Sequence, residues 1–301
     1  MKLRGCGTAL VTPFKQDGSL DEQALRELVG WQVDSGIDFL VPCGTTGETP
    51  TLTHHEWLRV IDITIETVGG RVPIMAGATS NNTREAVEKT REVSKRKGVD
   101  YILTATPYYN KPTQEGVYQH FKAIAEASSK PMMLYNIAGR TGTNIETATL
   151  LRLAEISNII AVKEASGNIA QIAEVCGSVP EDFLVFSGDD AITLAVIGLG
   201  GVGIVSVASN EIPAEMSRMT GAALAGKWDT ARQLFRKYLP LMQANFIESN
   251  PGPAKAVLAM LGRIEENYRL PLVPMKKENR AKLEKVVAEV GLLQGHAATI
   301  H

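Results

Sequence analysis

The sequence predicts an α/β protein, a (β/α)8 TIM barrel with a C-terminal helical extension. Three observations carry that reading. Short apolar or β-branched runs recur roughly every 20–35 residues, mostly unbroken rather than alternating, as in strands buried on both faces of a parallel sheet. Charged stretches with helical periodicity lie between them. After Gly226 the alternation stops, and helical patterns follow one another with no strand between. A barrel of this type holds about 250 residues in one core; a doubly wound sheet is the competing architecture.

The strand runs are 6–11, 37–41, 72–76, 101–104, 132–135, 159–162, 183–186 and 204–207. The helix over 21–33 is amphipathic, with Leu25, Leu28, Val29 and Gln32 spaced to form one inward stripe. Helix starts are marked by capping-box spacing at Ser19…Glu22 and Thr53…Glu56, with a weaker version at Asn82…Glu85. Residues 1–225 are thus expected to form the barrel and 226–293 a helical domain, with helices over 228–245, 253–261 and 278–290. Residues 294–301 read as a flexible tail.

Composition narrows the functional classes. The 301 residues are 44% hydrophobic and 21% charged, with a formal net charge of −2. Such a chain has no broad field to draw in nucleic acid or an anionic membrane. It is long enough to bury a core without disulfides or metal. Cys6, Cys43 and Cys176 have no C-x-x-C spacing and read as reduced, small apolar residues. Met1 to Gly5 lack the apolar core of a signal peptide, and the longest apolar run, 194–205, is short and glycine-rich. Cytoplasmic residence is the expectation.

In a β/α barrel, catalytic groups stand where strands end and loops begin. Strand two runs into Gly44-Thr45-Thr46-Gly47-Glu48, strand four into Tyr108-Tyr109-Asn110, and strand five into Tyr135-Asn136 with Arg140 beyond. Strand six ends in Lys163-Glu164, strand seven in Gly188-Asp189-Asp190, and strand eight passes through Ser206. Lys163 is the most informative. A lysine leaving a buried strand loses its charge readily, and a neutral amine attacks a ketone to form a Schiff base. The plainer alternatives are a lysine snorkelling to the rim or paired with Glu164.

On the adjacent strand Tyr135 can shuttle the protons that carbinolamine formation requires, or simply pack. Thr45 and Thr46 lie between glycines, where hydroxyls and open amides can hold a carboxylate, although such a stretch is also an ordinary turn. Arg140 suits two-point carboxylate capture, or it is a solvated rim residue. Other motifs fail on context. Gly198 to Gly203 matches G-x-G-x-x-G, but it follows a helical stretch and precedes a strand, the reverse of a dinucleotide site. His54-His55-Glu56 lacks zinc-protease spacing and the five histidines do not cluster, so no metal site is expected. The tyrosines at 108, 109 and 118 do not interleave with basic residues, so no nucleic-acid surface is expected.

Five stretches in order, Gly44-Thr45-Thr46-Gly47-Glu48, Tyr108-Tyr109-Asn110-Lys111-Pro112, Tyr135-Asn136…Arg140-Thr141-Gly142, Lys163-Glu164-Ala165 and Ser187-Gly188-Asp189-Asp190, give the chain a wider likeness. Together they resemble the dihydrodipicolinate (4-hydroxy-tetrahydrodipicolinate) synthase family of pyruvate-dependent class I aldolases, from about Gly5 to Leu293. The resemblance implies a lyase of lysine and diaminopimelate biosynthesis that condenses pyruvate with L-aspartate 4-semialdehyde. It implies a Schiff base on Lys163, with Tyr135 as proton donor and acceptor, relayed through Thr45 to a Tyr109 supplied by a neighbouring subunit. Thr46 and the backbone at Val205 would hold pyruvate, with Gly188 nearby, and Arg140 would receive the aldehyde's carboxylate. No metal or organic cofactor is implied, and the assembly implied is a homotetramer, a dimer of dimers.

Three departures from the family pattern bear on this. Ala138 stands where the family usually has proline before the arginine, which relaxes the backbone there. His54, Asn81, Glu85 and Tyr108 match the pocket in which inhibited members bind lysine. Thr49-Pro50 and Trp57, however, differ from its usual Ser-Ala and second histidine. Weak or absent lysine feedback is therefore expected. The alternative activities are another pyruvate-dependent aldolase, close to N-acetylneuraminate lyase, or a non-catalytic keto-acid-binding barrel.

Overall fold

The structure, a computed structural model, describes residues 3–293, so the stretch read as a tail lies outside the described residues. The elements are β1 (Gly5–Ala9), α1 (Glu22–Asp34), β2 (Phe39–Val41), α2 (His54–Val68), β3 (Met75–Gly77), α3 (Thr83–Ser94), β4 (Tyr101–Ala105) and α4 (Gln114–Ala127). They continue with β5 (Met132–Asn136), α5 (Ala138–Thr141), α6 (Thr147–Ala154), β6 (Ile159–Glu164), α7 (Ile169–Ser178), β7 (Leu184–Ser187), α8 (Thr193–Gly198), β8 (Gly203–Ser206) and α9 (Pro213–Leu224). Three helices follow: α10 (Trp228–Ala244), α11 (Gly252–Met260) and α12 (Lys277–Glu289).

The strands pair in parallel in the order β2-β1-β8-β7-β6-β5-β4-β3. A parallel bridge between Leu40 and Ile74 brings the two ends together and closes the barrel. Every strand expected from the sequence holds a strand. Burial alone does not make one, however: Leu10 and Val11 are fully buried yet lie past the end of β1.

Alternation along each strand divides the core in two. Met133, Tyr135, Ala161, Phe186 and Val205 belong to the cluster filling the barrel interior. Met132, Leu134, Val162 and Ile204 belong to the cluster between strands and helices. Inside, space is tight. A Cβ on Gly7 would stand 2.1 Å from the ring of Phe39, which meets Phe186 edge-on at 5.7 Å. The outer cluster also takes in Tyr238 and Leu241 of α10 and Leu283 and Val287 of α12. The C-terminal helices therefore share a continuous apolar layer with the barrel.

Local signals fared unevenly. Thr53 and Glu56 form the full reciprocal capping box of α2. For α1 the cap is Asp21, whose carboxylate accepts from the Ala24 N–H, and not Ser19, whose hydroxyl donates to Asp17. A carboxylate two residues nearer the helix supplies the same acceptor with the favourable charge. Asn82 caps α3 by accepting from the Arg84 N–H, but Glu85 turns away to Ser80 and Lys89. In the glycine-rich run before β8, a Cβ on Gly203 would lie 2.0 Å from the Gly5 carbonyl. Strand packing accounts for that glycine without a phosphate.

One polar contact ties the C-terminal helices to the barrel mouth. Lys255 of α11 donates to Glu48 at 2.6 Å, and both side chains are buried. The ammonium also lies 4.4 Å from the Phe14 ring. Removing either partner of such a pair would leave a buried charge uncompensated, at a cost of about 3–5 kcal/mol. The loop after β2 is thereby fixed to α11.

Candidate active site

Residues Tyr135 and Lys163 sit directly opposite one another in the β5–β6 ladder, and alternation points both into the barrel. Their neighbours Asn136 and Glu164 point outward and bond each other, the Asn136 Nδ2 donating to the carboxylate at 3.1 Å. Glu164 also accepts from the Ser166 hydroxyl. Glu164 is therefore not the partner of Lys163, and the lysine does not reach the rim: it is 5% exposed.

Burial strips water from the Lys163 ammonium and lowers its pKa to about 7, with nearby Asp190 acting in the opposite sense and Arg140 adding to the fall. The neutral amine is thus accessible at neutral pH. The Lys163 Nζ lies 4.0 Å from the centre of the Tyr135 ring. Burial also pushes the Tyr135 phenol well above its usual value, so the hydroxyl keeps its proton and can lend it.

Around this pair a small cavity of about 40 Å³ is lined by Thr45, Thr46, Tyr135, Arg140, Lys163 and Gly188, with Val207, Phe246 and Asn250. Six of the sequence-predicted residues thus converge. The loop after β2 turns sharply to do this, with Cys43 at φ +59° and Glu48 at φ +53°. Positive φ in non-glycine residues is costly and persists where the surroundings enforce it. The loop packs directly on β3, since a Cβ on Gly77 would lie 1.9 Å from the Cys43 carbonyl.

Arg140 sits in α5, whose first residue is Ala138. The first helical position is one that proline also favours, and the turn forms here with alanine. Arg140 lines both the Lys163 cavity and an adjoining pocket of about 450 Å³ that includes Thr45, Thr49, Glu85, Lys89 and Tyr108. The arginine can therefore meet an anion entering from the wider side.

Two predicted residues are not brought to the cavity. Tyr109 projects outward, 87% exposed with φ +74°. Val205 is buried within the barrel interior, and Val207 is the β8-end residue lining the cavity.

The four residues matched to an effector pocket lie along one strip. Asn81 Nδ2 donates to the Tyr108 carbonyl at 3.1 Å. His54 and Glu85 share a groove of about 360 Å³ with Trp57, Lys89 and Glu92. Within it, Lys89 pairs with Glu85 at 2.8 Å and lies 5.9 Å from the Trp57 ring centre.

The sequence does not point to Asn250, and it shows Asp190 only as part of a motif, without a role. Asn250 Nδ2 donates to the Thr46 hydroxyl at 3.0 Å, and its main-chain carbonyl accepts from Arg140 at 3.3 Å. Asp190 is buried and accepts from the Val207 and Ala208 N–H groups, fixing the end of β8. The Ser-Gly-Asp-Asp motif named Asp190, but no local signal singled out Asn250, which is 204 residues from its partner.

A buried amine titrating near neutrality, facing a phenol inside the mouth of a (β/α)8 barrel, defines a lyase of the class I aldolase type. Comparison with known proteins narrows the class. A sequence profile of the dihydrodipicolinate synthetase family matches residues 2–290, and the chain belongs to that family. It is 72% identical over 294 residues to the 4-hydroxy-tetrahydrodipicolinate synthase of Koribacter versatilis, covering 98% of each chain. Among solved structures, it is similar to the chloride-inhibited dihydrodipicolinate synthase from Acinetobacter baumannii complexed with pyruvate. The TM-score is 0.94 at 41% identity, over 96% of this chain and 99% of that one. It is likewise similar to DHDPS from Cyanidioschyzon merolae with lysine bound, with a TM-score of 0.93 at 42% identity over 96% and 99% of the two chains.

Gly188 gives the site its most specific steric test. A Cβ there would lie 3.0 Å from Cε and Cγ of Lys163 and 2.8 Å from Cβ of Ala165. Gly188→Ala should keep the fold but displace the amine and lower turnover by about 100-fold, the effect of a misplacement near 1 Å. Steady-state kinetics beside a melting curve would check this; unchanged turnover would show that the lysine has room to spare.

Proposed function

We propose that the chain condenses pyruvate with L-aspartate 4-semialdehyde to give 4-hydroxy-tetrahydrodipicolinate, in the diaminopimelate and lysine pathway. The observation that carries the reading is the Lys163 amine, buried, titrating near 7, and 4.0 Å from the Tyr135 ring. The neutral amine adds to the pyruvate ketone, and the carbinolamine loses water to form an iminium. That cation draws electrons from the methyl carbon, which gives up a proton and becomes an enamine. The enamine carbon attacks the aldehyde, a proton passes to the new alkoxide, and the aldehyde substrate's own amine then adds to the iminium carbon, closing the ring and expelling the Lys163 amine. Tyr135 supplies and recovers protons at these steps. Thr46 holds the keto acid's carboxylate, with Gly188 nearby, and Arg140 receives the aldehyde's carboxylate.

The iminium formed on Lys163 provides the electron sink, so the reaction calls for no metal or organic cofactor. We assign Tyr109, exposed and directed away from its own cavity, to the site of a neighbouring subunit, with Thr45 linking it to Tyr135. We read the assembly as a homotetramer built from two such dimers. Among the described residues no helix is long and apolar enough to cross a membrane; we place the protein in the cytoplasm.

Borohydride reduction in the presence of pyruvate, followed by peptide mass mapping, tests the reading. A lactyl-type mass gain on Lys163 is expected; a gain on another lysine, or none, would remove the mechanism.

Regulation is the second expectation. In the groove that holds His54 and Glu85, two of the residues the resemblance assigns to lysine, the chain's own Lys89 already pairs with Glu85 beside Trp57, and Thr49 and Trp57 form part of its walls. Lysine should therefore inhibit weakly or not at all. An inhibition curve with strong inhibition at cellular lysine concentrations would contradict this.

A further inference from the structure

We infer that Asn250, carried by the C-terminal helical segment, is a positioning residue that commits the Thr46 hydroxyl to donate into the Lys163 cavity. The inference rests on the proposed reading, because it concerns how the keto acid's carboxylate is held. A threonine hydroxyl has one hydrogen and two lone pairs. Asn250 Nδ2 donates to one of those lone pairs at 3.0 Å. Asn250 therefore does not use the Thr46 hydrogen, and among the described residues no protein oxygen receives it. Thr46 is 3% exposed and Asn250 5%, and both line the cavity with Lys163 and Tyr135. The hydrogen's remaining partner is an anion in that cavity, such as the carboxylate of a 2-keto acid.

Asn250 reaches this position because two contacts hold its segment. Its main-chain carbonyl accepts from Arg140 at 3.3 Å, so one residue touches both groups assigned to carboxylates. Five residues on, Lys255 grips Glu48, two residues beyond Thr46, at 2.6 Å. The loop after β2 and the start of α11 are thus cross-linked by two rungs, and Asn250–Thr46 is the one beside the amine. The Asn250 Oδ1 is buried with no protein partner. The amide is thus held by its N–H on Thr46 and not by its oxygen.

The test is a double-mutant cycle with Asn250→Asp and Thr46→Val, read as the pyruvate concentration giving half-maximal borohydride trapping on Lys163. An aspartate accepts only, so it would take the Thr46 hydrogen for itself; valine removes the hydroxyl at nearly constant shape. Each single change should raise the half-trapping concentration roughly 10–100-fold, the worth of one hydrogen bond to a charged group. The double variant should be no worse than the worse single. Turnover at saturating pyruvate should fall much less than the KM for pyruvate rises. Asn250→Ala, which removes the donor without adding charge, should show the same coupling and serves if the aspartate does not fold. Effects that multiply in the double variant, or a half-trapping concentration unchanged by both Asn250 variants, would overturn the inference while leaving the Schiff base intact. A wild-type chain that pyruvate does not trap would overturn the functional reading, and this inference with it.

Discussion

Removing one ammonium group from water is the constraint on which the rest of the structure depends. Lys163 sits inside a closed sheet, and only at that depth is its charge costly enough to bring its titration near neutrality. An exposed lysine keeps its proton and cannot attack a carbonyl. Closure of the barrel by the Leu40–Ile74 bridge, the packing of Phe39 against Phe186, which pairs with Lys163 across the sheet, and the bare Gly188 beside the lysine stem all serve that placement. The partner charges are modest: Asp190 stabilises the ammonium and Arg140 opposes it. Desolvation outweighs both.

The same seclusion sets the chemistry of the neighbours. A phenol buried with Lys163 stays protonated, so it can give a proton where a solvent-exposed group would compete with water. The rim is organised differently. Arg140 is carried by a short helix and faces a wider pocket, so it suits a substrate arriving after the first has been fixed. The helices beyond Gly226 close the arrangement through two polar rungs, one charged and buried, one between an amide and a hydroxyl. Their apolar residues join the outer core, so the segment bearing Asn250 is held by packing as well as by hydrogen bonds.

The legible parts of the sequence were those whose physics is local. Unbroken apolar runs located all the strands, and a lysine directly after Ile159-Ile160-Ala161-Val162 could only leave a buried strand. Tyr135, Thr45, Thr46 and Arg140 were found because strand ends and glycine turns are marked by their own neighbours. Asp21, not Ser19, caps α1, because two acceptors two residues apart compete and sequence spacing alone does not rank them. Asn250 and the Lys255–Glu48 pair were invisible for a different reason. Their partners lie more than 200 residues away, and neither asparagine nor lysine signals burial. The outward course of Tyr109 depends on a positive φ that tyrosine does not advertise.

The chemistry depends on the protonation of one nitrogen. Competitive labelling with an amine-selective reagent across a range of pH, quantified by mass on the Lys163 peptide of the intact folded enzyme, measures that titration directly. The expected midpoint is about 7, set against exposed lysines of the same chain as internal references. A midpoint at the ordinary lysine value of about 10.4 would mean that the barrel does not withdraw this amine from water, and the mechanism would have to be abandoned.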